Sequence, residues 1–129
     1  MTFPVQAIKN INNPPVFFFC KIPDLTVLNK AINYVRKNEM TENLRIVHIH
    51  GTDESENVLQ QLQQMIALFD HIHPKLRLDL ISVVGTFDPA MVEWISIKYS
   101  VPRNMMFIKQ PGNKNVHKVS ACGVRVITG

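Results

Sequence analysis

Two kinds of apolar pattern alternate along this chain. Val16 to Cys20 (VFFFC) is apolar at every position. A strand without alternation must be covered on both faces, which predicts a central strand of a parallel sheet. Beyond it, Leu28, Ala31, Ile32 and Val35 recur at helical spacing, with Asp24 placed to cap the helix. Leu44 to Ile49 reads as a second strand. Val58, Leu59, Leu62, Met65, Ile66 and Phe69 form a helical stripe opposite glutamines, with Asp53 and Glu56 spaced as a capping box and Pro74 at the stop. Leu76 to Gly85 alternates first and then turns wholly apolar, as expected of a third strand exposed at one end. Asp88-Pro89 opens a third helix, with Phe87 and Val92 spaced as a hydrophobic staple. Met105 to Lys109 is a fourth strand and Val124 to Thr128 a fifth. A Pro-Gly turn and a short helical stretch (VHKVSACG) are expected between them. This order predicts an α/β domain over residues 16–129, a three-layer α/β/α sandwich around a five-stranded, mostly parallel sheet. Residues 1–15, with NINNPP, read as a linker or lead-in. A ligand of such a fold belongs outside the carboxyl ends of the strands, where strand order reverses.

Composition narrows the function classes. Apolar residues make up 46% and charged residues 19% of 129, the balance of one globular domain. The net charge of +4 comes from scattered Lys and Arg without a basic tract, so no nucleic-acid partner is expected. No apolar run approaches the ~20 residues of a membrane helix. Cys20 and Cys122 form no C-x-x-C and read as free thiols in a reducing compartment.

Four of the five histidines stand in two triplets, His48-Ile49-His50 and His71-Ile72-His73. His48 and His50 face one side of a strand and could share a metal. A third ligand would have to come from His71 or His73, at the opposite edge of the sheet, so no metal site is expected. The bland reading makes His48 a hydrogen-bonded strand-end residue and gives His71 and His73 the task of complementing a helix C-terminus. Asp53, Glu54 and Glu56 read as helix-start carboxylates before they read as an acid/base cluster. No serine has a nucleophile-elbow setting. Gly51 and Gly85 either permit tight turns or leave room for a ligand to approach the backbone.

The order of elements, the His in IVHIHG and the closing ACGVRVIT resemble a universal stress protein domain, with His48 where that family's second strand often ends in a His. LTVLNKAINYVRKNE, FDPAMVEWISIKYSVPRNMMFI and GVRVIT resemble, more narrowly, the universal-stress-like cytosolic C-terminal domains of eukaryotic transporters of the amino acid–polyamine–organocation superfamily. Related domains follow the membrane helices of cation–chloride cotransporters. The resemblance implies a non-enzymatic, cytoplasmic regulatory or assembly domain of a membrane amino acid transporter, with the transporter's membrane domain as a partner. It also implies a homodimer through the last strand, at Val124, Val126 and Thr128. The chain departs from the nucleotide-binding members. Lys21 and Ile22 stand where they carry an acid after the first strand. The glycine-rich phosphate loop G-x2-G-x9-G-[ST] is also missing, with Gly112 and Gly123 the only glycines of that stretch. No cofactor is therefore expected. Two alternatives stay open. One is a free-standing universal-stress-like protein holding a nucleotide through Cys20, Lys21, His48, Gly85 and Lys109. The other is a small hydrolase or transferase, for which no nucleophile–base pair can be named.

Overall fold

The computed structural model describes residues 15–38, 41–54, 56–109 and 123–127. Five strands and three helices follow the expected order: β1 (Val16–Phe19), α1 (Leu25–Asn38), β2 (Asn43–His50), α2 (Glu56–Ile72), β3 (Arg77–Val84), α3 (Pro89–Tyr99), a 3-10 turn (Arg103–Met105), β4 (Met106–Lys109) and β5 (Arg125–Ile127). The sheet runs β3-β2-β1-β4-β5, and every neighbouring pair is parallel. The expectation of a mostly parallel sheet thus tightens to an all-parallel one.

The placement of β1 follows from its composition. Val16, Phe17, Phe18 and Phe19 are each at most 5% exposed. Alternate side chains feed two separate apolar cores. Val16, Phe18 and Cys20 pack with Leu28, Ala31, Ile32 and Val35 of α1 and with Leu62, Ile66 and Phe69 of α2. Phe17 and Phe19 pack with Val92 and Ile95 of α3, together with Val47, Val101, Met106 and Val124. α1 and α2 therefore cover one face of the sheet and α3 the other. Each buried Phe contributes about 1.5–3 kcal/mol of transfer free energy, so β1 is the seam that holds both layers.

The helix starts show how local chemistry sets the elements. Asp24 accepts from the backbone N–H of Thr26 at 2.9 Å and of Val27 at 3.3 Å, which caps α1. Asp88 caps α3 through Met91 N–H at 2.7 Å, with Pro89 at the first helical position. Phe87 and Val92 join the same core, as a staple requires. Ser100 closes α3 in the left-handed conformation, φ 54° and ψ 44°.

Several boundaries differ from the sequence expectation. β4 begins at Met106, because Met105 N–H bonds back to Pro102 in the 3-10 turn. β5 spans only Arg125–Ile127, and Val124 lies before it, buried in the α3-side core. The third strand is exposed at its apolar end, opposite to what the pattern suggests: Val84 is 57% exposed, and β3 is an edge of the sheet. The capping box at Asp53 and Glu56 does not form. Residues 52 and 53 make a turn, and α2 starts only at Glu56. Residues 116–122 of the expected helical stretch VHKVSACG, the Pro-Gly turn, Thr128 and residues 1–14 of the expected lead-in lie outside the described residues.

Candidate functional site

The strand order reverses between β1 and β4. β1 is followed by elements that build the sheet toward β3, and β4 lies on its other side. The candidate crevice therefore lies at the carboxyl ends of these central strands. Three of the five expected crevice residues end or directly follow a strand, Lys21 lies one residue further on, and His48 stands two residues before the end of β2. Cys20 follows β1 and is buried; Lys21 is next and exposed; Gly85 follows β3; Lys109 ends β4 and is exposed. Phe19 is level with Ile108, so Lys109 stands level with Cys20.

His48 is the centre of this end. It is 1% exposed and is the one titratable side chain among the buried polar residues described. Its Nδ1–H donates to the Cys20 carbonyl at 2.9 Å, tying β2 to the end of β1. Its Nε2 meets both carboxylate oxygens of Glu54, at 2.9 and 2.8 Å. A carbonyl only accepts, so Nδ1 carries a hydrogen. A carboxylate also only accepts, so the Nε2 contact needs a second proton. The pair is thus an imidazolium facing a carboxylate, or the same proton sitting on the acid. The first form is a charge-assisted contact and the second a neutral O–H···N bond.

His50 stacks on His48, with ring centroids 5.2 Å apart and an interplanar angle of 17°. Its Nδ1–H donates to the Gly51 carbonyl at 2.9 Å, and the Ser82 hydroxyl donates to Nε2 at 2.8 Å. His50 needs no extra proton. Its Nδ1 also lies 3.5 Å from Glu54 Oε2. One carboxylate, 20% exposed, therefore anchors the β2–α2 connection to two stacked rings. Both histidines face one side of the strand, as the spacing requires.

Glu54 is the residue that sequence reasoning missed. It stands between two other carboxylates at a helix start, where a capping role was the natural expectation. Its distinguishing signal is its place six residues after His48, across a turn at Gly51 that folds the chain back onto the strand end. The weak turn bond from Glu54 N–H to the Gly51 carbonyl, 3.4 Å, shows that fold-back.

At both glycines an added Cβ would meet a side-chain end of the chain itself. A Cβ on Gly85 would overlap the Met91 methyl group, and one on Gly51 would sit 2.7 Å from Asp53 Oδ1. The space beside each is filled by the chain's own side chains. Gly123 has φ +75°, a left-handed turn residue directly before β5. Gly112 lies outside the described residues.

The thiol of Cys20 donates to the Ile22 carbonyl at 3.0 Å. Burial pushes it up to about 11, and the nearby Asp24 carboxylate adds to the rise. A thiol so raised is a poor nucleophile. The second histidine triplet is elsewhere and does different work. His73 accepts a hydrogen bond at Nδ1 from the Arg36 guanidinium, 3.3 Å away, and lies over Phe69. His71 is exposed in the last turn of α2.

Among the described residues, no group of three or more His, Cys, Asp or Glu is arranged to hold a metal ion. No helix among them is long and apolar enough to cross a membrane. At the predicted dimer edge, Val124 is buried, Val126 is 37% exposed and β5 offers three residues. No protein-family model, curated protein or solved structure matches this chain.

Proposed function

We propose that this chain is a non-enzymatic regulatory and assembly domain, built on a universal-stress-protein-like three-layer body and attached to the cytosolic side of a membrane amino acid transporter. One observation carries the reading. His48, the buried polar side chain at the strand ends, has both ring nitrogens engaged within the protein, by Cys20 and Glu54. The buried polar side chain of the crevice thus works as a structural rivet and is not poised toward a substrate. Cys20, the nearest thiol, is buried and held as a thiol. The all-parallel order β3-β2-β1-β4-β5, with helices on both faces, is a doubly wound arrangement and is compatible with this reading. The transporter attachment rests on that resemblance alone. The domain would then act by docking, and association would bias the transporter's state or trafficking. Deleting residues 16–129 from the full-length protein should change transport, localisation or assembly. Unchanged values of all three would defeat the proposal.

A second reading has one observation in its favour. Lys21 and Lys109 are both exposed and flank the point where strand order reverses. Two cations there suit an anionic ligand such as a nucleotide. Millimolar ATP or AMP should then raise the melting temperature, and Lys21→Ala should abolish the shift. A flat titration removes this reading and leaves the first intact.

A further inference from the structure

The sheet has two edges, and they differ. β5 contributes three residues. Its central-face neighbour Val124 is buried, and Arg125 donates to the Tyr34 hydroxyl and the Asn104 carbonyl. β3 contributes eight residues, and among the described residues only β2 pairs with it. The ladder shows which of its groups are engaged. Arg77 N–H donates to the Glu42 carbonyl and Gly85 N–H to the His50 carbonyl. In a strand, alternate residues direct their N–H and C=O to opposite sides. Odd-numbered positions of β3 therefore bond β2. Leu78, Leu80, Ser82 and Val84 direct theirs to the edge that no described strand covers.

We propose that this edge pairs with the same edge of a second copy, antiparallel and about a two-fold axis through Ile81. Leu80 then stands opposite the partner's Ser82, and Leu78 opposite the partner's Val84. Every outward N–H and C=O from Leu78 to Val84 finds a partner in this register, and the contact closes on itself. The side chains support the same placement. From Leu80 to Val84 the edge has no charge, and Val84 is 57% exposed. Edges are normally blunted by charge, proline or short length, and this stretch has none of the three. The only charges on β3, Arg77 and Asp79, pair with each other at 3.1 Å and lie at the rim, where interfaces tolerate polarity. Other registers are poorer. An axis at Asp79 sets like charges face to face, and an axis at Leu80 leaves the outward groups of Val84 unpaired. The inference concerns the domain alone and holds or fails independently of any transporter.

The test uses the full 129-residue chain. At about 100 µM, where even a ~10 µM contact is mostly formed, sedimentation should show a dimer. Val84→Pro removes one outward N–H without touching the β2 ladder, a position where edge strands accept proline. It should give a monomer with an unchanged circular dichroism spectrum, and Val84→Lys should do the same if the proline variant misfolds. In a Cys20→Ala, Cys122→Ser background, Ile81→Cys should cross-link on mild oxidation. Facing residues of this non-hydrogen-bonded kind stand about 4.5 Å apart at Cα, within disulfide range. Val126→Cys, on β5, should not cross-link. A monomeric wild type overturns the proposal. So does a dimer that survives both Val84 substitutions, cross-linking through Val126→Cys in place of Ile81→Cys, or open-ended polymers.

Discussion

The contact between His48 and Glu54 can be measured as a coupling energy. His48 is 1% exposed and Glu54 20%, so the two substitutions differ in consequence. Glu54→Ala strands a buried ring nitrogen and its proton. A hydrogen bond to a charged group is worth about 1.5–3 kcal/mol. Water can reach the partly open Glu54 side and offset some of that loss, so a cost of about 1–2 kcal/mol is expected. His48→Leu removes the bond to the Cys20 carbonyl as well, and leaves both acceptors without their donor. It should cost about 2–4 kcal/mol, adding one neutral bond and the desolvated carbonyl. In the double variant, the Glu54 substitution breaks only its longer contact with His50, 3.5 Å. The pair should therefore be non-additive by about 1–2 kcal/mol, well above the ~0.5 kcal/mol scatter of independent sites. Urea unfolding at neutral pH, with the slope held constant across the four proteins, gives these values. Raising the ionic strength should leave the coupling largely intact, because the contact is mostly buried. Additive costs would show that Glu54 is merely a nearby surface acid. That outcome would also remove the support for a structural rivet at the strand ends.

Two further outcomes follow from single residues. The Cys20 thiol loses its proton near 9.0 in the unfolded chain but only near 11 in the folded one. The unfolded chain therefore ionises first, and stability should fall as pH rises from 9 to 11, by about 2 kcal/mol more than in Cys20→Ala; parallel curves for the two proteins would contradict this. Ser100 holds φ 54° at the end of α3, where a side chain costs about 1–2 kcal/mol. Ser100→Gly should recover about 0.5–1 kcal/mol of that after the glycine's own entropy cost, raising the denaturation midpoint, and a lowered midpoint would refute the account.

The layout of the fold was legible because its signals are local and redundant. VFFFC can be satisfied only by cover on both faces, and the structure puts β1 in the centre of the sheet with apolar partners on each side. Asp24 and Asp88 announce helix starts through geometry that depends on the next three residues alone. Strand order was less accessible, since each strand's own pattern is compatible with several neighbours. β3 illustrates the point. Its apolar second half suggested burial at that end, yet exposure there alternates up to Val84, because nothing but β2 pairs with it among the described residues. Apolar content identifies a strand. It does not say whether the strand is covered by its own chain or kept for another.

The site was half legible, and the reason lies in how the two histidine partners are supplied. That His48 and His50 share a face follows from a period of two, and the stacked rings bear it out. What they touch depends on the path of residues 51–54. Asp53-Glu54-Ser55-Glu56 offers three acids, and helix electrostatics favours any of them near an N-terminus. The alternative for Glu54 is a buried imidazole that already gives one hydrogen to Cys20. That ring gains from a carboxylate at its other nitrogen far more than three exposed backbone N–H groups do, because the contact is charge-assisted and sheltered from water. A carboxylate two residues before the helix and six residues after a strand-end histidine is thus drawn inward. Tertiary demand decided between two local options, and that demand became visible only once β1 had brought its Cys20 carbonyl beside β2.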